Sequence, residues 1–254
     1  MRLNKLKNTL ATCLGILLIG CLVQVAGSLK GDQLVFPDTG EILCTFLRLL
    51  ADGGTWQMIG TTLLHLLEAL LLATVIGIPL GMVEGGSEWV YCLFRPMTIL
   101  IRSLPMIVLV ILIMVLTHYS RVPLIATGLV ILPLISEGAC EGIRGIDPEL
   151  KDVYRLCSGF NATVFRQVHL PLMAGHLRES YRNAAGMGLK VAVTTEYLVQ
   201  TRNSLGKAVY SSAYFNEYAE IYAYALIMVL LVLGLELLPV LLGRIRALTR
   251  RQSP

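Results

Sequence analysis

Long apolar runs separated by short polar ones make up most of the chain. Apolar stretches cover residues 10–29, 60–83, 97–116, 124–136, a less regular segment near 184–196, and 221–242. Several approach the roughly 20 residues that cross a bilayer. The pattern predicts an all-α, polytopic membrane protein with six transmembrane helices. It predicts one membrane domain over residues 1–254, divided into an N-terminal anchor and outer segment (1–59) and a core (60–243). Arg2, Lys5 and Lys7 precede the first run. Leu18-Ile19-Gly20-Cys21 resembles a lipoprotein cleavage site, but the apolar run continues to Leu29, which favours an uncleaved anchor.

Between the fourth and fifth spans the pattern changes. Residues 137–171 are polar and charged with helical spacing. Asp147 can cap a helix whose first position is Pro148. Leu150, Val153, Tyr154 and Cys157 share one face of it, and Ser158-Gly159 can end it. Asn161 can cap a second short helix carrying Val164, Phe165 and Val168, closed at Pro171 because Leu170 is pushed from helical geometry. Two short helices joined by a tight turn are therefore expected.

Elsewhere the pattern has local irregularities. The outer segment 30–59 carries an amphipathic stretch over 42–50, read as a helix on the membrane surface and broken at Asp52-Gly53-Gly54. His65 and Glu68 lie one turn apart in the second span; they form a functional pair or simply reach water at its outer end. The third span is kinked at Pro105, and its Arg102 snorkels to the interface or pairs with a carboxylate. Pro133 interrupts the fourth span. In the fifth, Ala184-Ala185-Gly186-Met187-Gly188 permits close helix packing. Lys190 and Thr194 share a face. Lys190 and Glu196 point different ways, so each lines a wet cavity or pairs with another helix. The cavity is the preferred reading, which makes Lys190, Thr194 and Glu196 candidates for a translocation path. Tyr210, Tyr214, Tyr218 and Tyr222 recur every four residues; on one helix they form an aromatic belt or a docking face. Glu236, in the sixth span, is expected to face a neighbouring helix.

Composition and charge agree with this picture. Of 254 residues, 55% are hydrophobic and only 15% charged, below the quarter usual in soluble domains. The net charge of +4 does not indicate a nucleic-acid partner. With six spans and both termini cytoplasmic, Arg2, Lys5, Lys7, the cations of the 137–171 loop and Arg244, Arg246, Arg250 and Arg251 fall inside. Only Lys30, Arg48, Arg121, Arg202 and Lys207 fall outside. That is the positive-inside bias, and it puts the loop in the cytosol. Cys13, Cys21, Cys44, Cys92, Cys140 and Cys157 show no Cys-x-x-Cys spacing, and only Cys44 lies in an outer segment. Neither a metal site nor an internal disulfide is expected.

Gly142-Ile143-Arg144, Asp147-Pro148-Glu149-Leu150, Phe165-Arg166-Gln167-Val168 and Leu170-Pro171 together resemble the cytoplasmic "EAA" loop of bacterial ABC importer permeases. The resemblance is strongest to the nitrate/sulfonate/taurine type. The motif's Glu-Ala-Ala falls on Asp152-Val153-Tyr154 and its glycine on Ser158, with Gly159 one place late. Gly77-Ile78-Pro79-Leu80-Gly81, Arg95-Pro96, Leu100 to Pro105, Arg182, Glu196 and Leu205-Gly206 match further family motifs in order, from about Phe36 to Arg246. The resemblance implies a coupling helix that docks in a groove on an ATPase subunit. Asp147, Leu150, Val153, Tyr154, Arg155, Ser158, Gly159, Phe165 and Arg166 would form that contact. It further implies a second copy of the chain, two ATPase subunits, an extracytoplasmic solute-binding protein, and residence in the bacterial inner membrane. The sequence has no G-x-x-x-x-G-K-[ST] loop, so ATP and its Mg are expected on the partner and no cofactor on this chain. An ion-coupled secondary transporter using Glu196, Lys190 and Glu68 is the main alternative; it predicts an inverted repeat, which the two halves do not show. An intramembrane enzyme built on His65 and Glu68 lacks a nucleophile or third ligand.

Overall fold

The structure, a computed structural model, describes residues 37–146 and 165–250, with Val168 and residues 237–250 described by backbone alone. The expected anchor at 10–29 and most of the polar loop, Asp147 to Gly159 included, lie outside the described residues. Eight α-helices run in chain order among those described: α1 (Thr39–Ala51), α2 (Gly53–Gly86), α3 (Glu88–Ser103), α4 (Met106–Leu116), α5 (Val122–Arg144), α6 (Leu170–Val199), α7 (Leu205–Tyr214) and α8 (Tyr218–Arg250). A 3₁₀ turn (Tyr119–Arg121) precedes α5, and a π-helical turn (Phe165–His169) precedes α6.

Several sequence expectations shift. Only Asp52 interrupts the outer segment. Its extended backbone ends α1 and its carboxylate accepts the Thr55 N–H at 3.2 Å, so Gly53 and Gly54 open α2 instead of forming a break. The third apolar run is broken, not merely kinked, at Pro105. Leu104, extended ahead of Pro105, separates α3 from α4, and the two helices meet at 105°. Pro133 does not interrupt α5, which continues through residues 137–144 to Arg144. Pro171 does not close a short helix. It occupies the first turn of α6, where its missing N–H has no helical partner to lose. Tyr210 and Tyr214 lie on α7, but Tyr218 and Tyr222 lie on α8 beyond a turn at Asn216 (φ 60°), so the four do not share a helix face.

Among the described residues, α2, the 3₁₀ turn with α5, and α8 as far as Glu236 are each long and apolar enough to cross a membrane; α3 and α4 together make a fourth candidate if the bent pair is one span. α6 does not qualify on composition alone. Large apolar side chains such as Leu64, Leu67, Leu71, Val75 and Val115 are exposed, as suits a molecule solvated by lipid.

α5 sits at the centre, packed between α2 and α6. Ala69, Ala73, Ile131, Ile135 and Ala184 meet at mid-height; Ala139, Ile143, Ile146, Met173 and Leu177 fill one end. Leu49, Leu66, Leu189, Leu205, Tyr224 and Ile227 fill the other, which ties α1 and α8 to the centre. Small residues set the spacing. A Cβ on Gly81 would collide with the Ser136 carbonyl and come within 2.7 Å of the Ala139 side chain. A Cβ on Gly138 would collide with the Ser180 side chain of α6. Close backbone approach replaces hydrophobic drive, which is weak between helices in lipid.

Gly81→Val should therefore separate α2 from α5 and cost about 1–3 kcal/mol or more, as overpacking does. Gly60→Ala, which meets open space, should cost nothing. Thermal unfolding of the two variants in detergent reads the difference.

Candidate functional site

A cluster of buried polar groups lies where α6 hands over to α7. Gln200, in the left-handed region at φ 55°, ends α6 and donates its N–H to the Glu196 carbonyl. The chain turns within a few residues and α7 begins after Ser204. A helix start leaves its first N–H groups without helical partners, and here three side chains take them. Ser204 Oγ accepts Lys207 N–H at 3.3 Å. Thr62 Oγ1, from α2, accepts Leu205 N–H at 3.1 Å. Glu196 Oε2, from α6, accepts Gly206 N–H at 3.3 Å.

Glu196 is completely buried. Its Oε2 also accepts the Thr62 hydroxyl at 2.8 Å, and its Oε1 lies 2.8 Å from His65 Nδ1. With the carboxylate ionised, the imidazole must donate through Nδ1. Both oxygens are thus bonded, and the positive end of the α7 dipole faces the charge. One carboxylate joins α2, α6 and α7. The approach is tight: a Cβ on Gly206 would lie 2.5 Å from Glu196 Cβ and from Val193 O. Only glycine fits there.

Lys190 and Thr194 do not join this node. They lie with Asn183 and Met187 on an exposed stripe of α6, spaced four, three and four residues apart. Thr194 Oγ1 donates to the Lys190 carbonyl at 2.8 Å, and Lys190 has no ion pair among the described residues. Lys190 and Glu196 therefore take different surroundings: one faces outward, the other meets partners from α2 and α7. His65 and Glu68 also part, His65 turning in to Glu196 while Glu68 is exposed. Arg102 takes the ion-pair option, with Glu137 of α5. Glu236 faces Gly186 of α6. At the start of α6, Phe165 is half-buried and Arg166 exposed.

Beside the node, Tyr197 packs edge-on to Tyr210 at 5.4 Å, Tyr210 stacks with Tyr214 at 6.4 Å, and Tyr214 meets Phe215 at 5.2 Å. Tyr214 and Phe215 are largely exposed. At the α7–α8 turn the nearby Glu220 carboxylate pushes the Glu217 carboxyl above its ordinary range. Among the described residues no three His, Cys, Asp or Glu side chains gather closely enough to hold a metal ion.

Sequence reasoning missed Thr62 and the Leu205 and Gly206 amides. Two signals were present: Thr62 stands one turn before His65, and Ser204 followed by Leu205-Gly206 has the form of a helix cap next to a forced close approach.

Thr62→Val should leave the Leu205 N–H and one Glu196 oxygen short of a partner and cost about 1–3 kcal/mol. Thr62→Val combined with Glu196→Gln should be clearly non-additive in a thermal double-mutant cycle, because both changes strike one network. Additivity would mean that the two side chains do not share it.

Comparison with known proteins bears on what this architecture is for. Over 136 residues, 52% of this chain, the sequence is 29% identical to the glycine betaine/proline betaine transport system permease protein ProW of Escherichia coli (strain K12). The chain spans only 38% of that protein's length. A solved structure described as an inward-facing conformation of the MetNI methionine ABC transporter, in its CY5 native crystal form, superposes with a TM-score of 0.63. The overlap covers 74% of this chain and 95% of that one at 16% identity, so the likeness is one of fold. Residues 73–248 match the family described as the binding-protein-dependent transport system inner membrane component, and the chain belongs to that family.

Proposed function

We propose that the chain is the membrane-spanning permease subunit of an ATP-binding-cassette importer, moving a small solute inward by alternating access. The observation that carries this reading is the continuity of α6. It starts at Leu170, where the polar loop ends, and runs unbroken for 30 residues, through Glu196 to Val199. At about 1.5 Å per residue that is a rod of roughly 45 Å. A displacement of the loop would move one end of the rod, and the other end is bonded to α2 and α7.

In this reading the protein lies in a bacterial inner membrane with both termini cytoplasmic. Separate ATPase subunits press on the loop through Asp147, Leu150, Val153, Tyr154, Arg155, Ser158, Gly159, Phe165 and Arg166. A second copy of the chain completes the pathway, and an extracytoplasmic binding protein delivers the solute. Lys190 and Thr194 border the path from their exposed stripe; Glu196 shapes it from behind by holding α6 and α7. The motif resemblance favours the nitrate/sulfonate/taurine type, and Lys190 would suit an anion. A secondary transporter would need Glu196 to bind and release an ion. Its full hydrogen bonding and complete burial speak against that role.

Co-reconstitution of the chain with its ATPase and binding protein tests the proposal. Tyr154→Asp and Phe165→Asp should each lower ATP-driven uptake at least about ten-fold, about 1.4 kcal/mol of coupling. Uptake by the chain alone, without an ATPase, would contradict the proposal.

A further inference from the structure

At the end of the bundle opposite the Glu196 node, a cavity of about 400 Å³ opens between α3 and α5. It follows α5 from Arg144 to Pro133, about three turns. α3 is two-sided here. Tyr91, Arg95, Thr98 and Arg102 line the cavity, while Trp89, Leu93, Met97 and Leu100 form an opposite stripe, each more than half exposed. Ile99 does both: it lines the cavity and is 57% exposed.

The charges in this cavity do not all cancel within the protein. Arg102 pairs with Glu137, and Arg144 pairs with Glu88 at 2.7 Å while covering the Tyr91 ring at 4.0 Å. Glu141, also in the lining, lies 3.6 Å from His176 Nδ1. Two further charges, Glu84 and Arg95, have no ionic partner among the described residues. Glu84 is only 7% exposed; its Oε2 accepts the Ser136 hydroxyl at 2.9 Å, and no cation reaches it among the described residues. Buried carboxylates are ordinarily paired. Arg95, at the cavity rim, lies 5.6 Å from the Tyr91 ring centre and has no carboxylate partner among the described residues.

We propose that this cavity binds the headgroup of a zwitterionic phospholipid of the ethanolamine class. The ammonium meets the Glu84 carboxylate, and the phosphate meets Arg95 at the rim. A charged acceptor inside and a charged donor outside match an ammonium that leads and a phosphate that follows. Charge-assisted bonds of both kinds are the strong ones. The occupant arrives sideways from the membrane. Ile99, which lines the cavity and is itself exposed, marks the edge where the acyl chains pass out to the surrounding lipid. An anionic lipid without the ammonium would satisfy Arg95 but leave Glu84 unpaired, so ethanolamine is preferred over glycerol headgroups.

Native mass spectrometry of the full chain, released from micelles with equal phosphatidylethanolamine and phosphatidylglycerol, tests the site. The account expects phosphatidylethanolamine to be retained with about ten-fold preference. Glu84→Gln and Arg95→Gln should each abolish that preference, and the exposed Arg95 keeps the test sound if the Glu84 variant folds poorly. Arg121→Gln, at the other end of the bundle, should leave it intact. A preference that survives both cavity variants would overturn the proposal. So would thermal stabilisation by free phosphoethanolamine equal to that by the lipid, which would assign the cavity to a soluble zwitterion. Copy-to-copy crosslinking through Trp89→Cys without lipid retention would instead assign the face to a second copy, and would also overturn it.

Discussion

One buried carboxylate, Glu196, holds one end of this bundle together. Glu196 accepts hydrogen bonds from Thr62 and the Gly206 amide and meets His65, so it joins α2, α6 and the start of α7. A buried charge is tolerated only when its bonding is complete. That requirement works in reverse as well: to separate any of the three helices, the molecule would have to strand the carboxylate. The node therefore makes three helices behave as one body, and the rest of the architecture is arranged around it.

The remainder of the packing complements that constraint. α5 lies against α2 and α6 through positions such as Gly81 and Gly138, where any larger residue would collide. Such contacts resist sliding because packed surfaces have few alternative registers. α4 joins this packing through Leu109, Val110 and Ile113, which bury against Val122 and Ala126 of α5, while α3 stands apart. α3 buries none of its residues and meets α4 at a sharp corner. The molecule thus has a tightly joined group, α2 with α5, α6 and α7, and a peripheral helix, α3, whose exposed surface is left for lipid or a partner. On the proposed function, force entering at the start of α6 would pass along it through the joined group.

Much of this was legible in the sequence. The all-α membrane character followed from apolar runs and the low charge content, and the motif order pointed to the family. The helices set by length and periodicity, α2, α5 and α8, were located, but each runs seven or eight residues past its expected span at one end. What failed were the proline rules. A proline suits the first turn of a helix and, in lipid, can also lie inside one, so Pro171 and Pro133 did not end anything. Pro105 did, because Leu104 took the extended conformation a proline favours before it. The site was half legible. Glu196, His65 and Lys190 stood out as ionisable groups in apolar surroundings. Which of them meet depends on how helices distant in sequence are rotated against each other, and on backbone amides that no side-chain pattern reveals. Periodicity placed Lys190 and Glu196 on different faces but could not say that one face is open and the other closed by α2 and α7.

The rigid-body claim is tested most directly by spin-label distance measurements on the full transporter. One label would replace Gly60 on α2 and the other Lys207 on α7. The account predicts the same mean distance with and without ATP, while a pair linking α7 to its counterpart in a second copy changes. A shift between the α2 and α7 labels on ATP binding would show that the Glu196 node opens during transport, and would contradict the account.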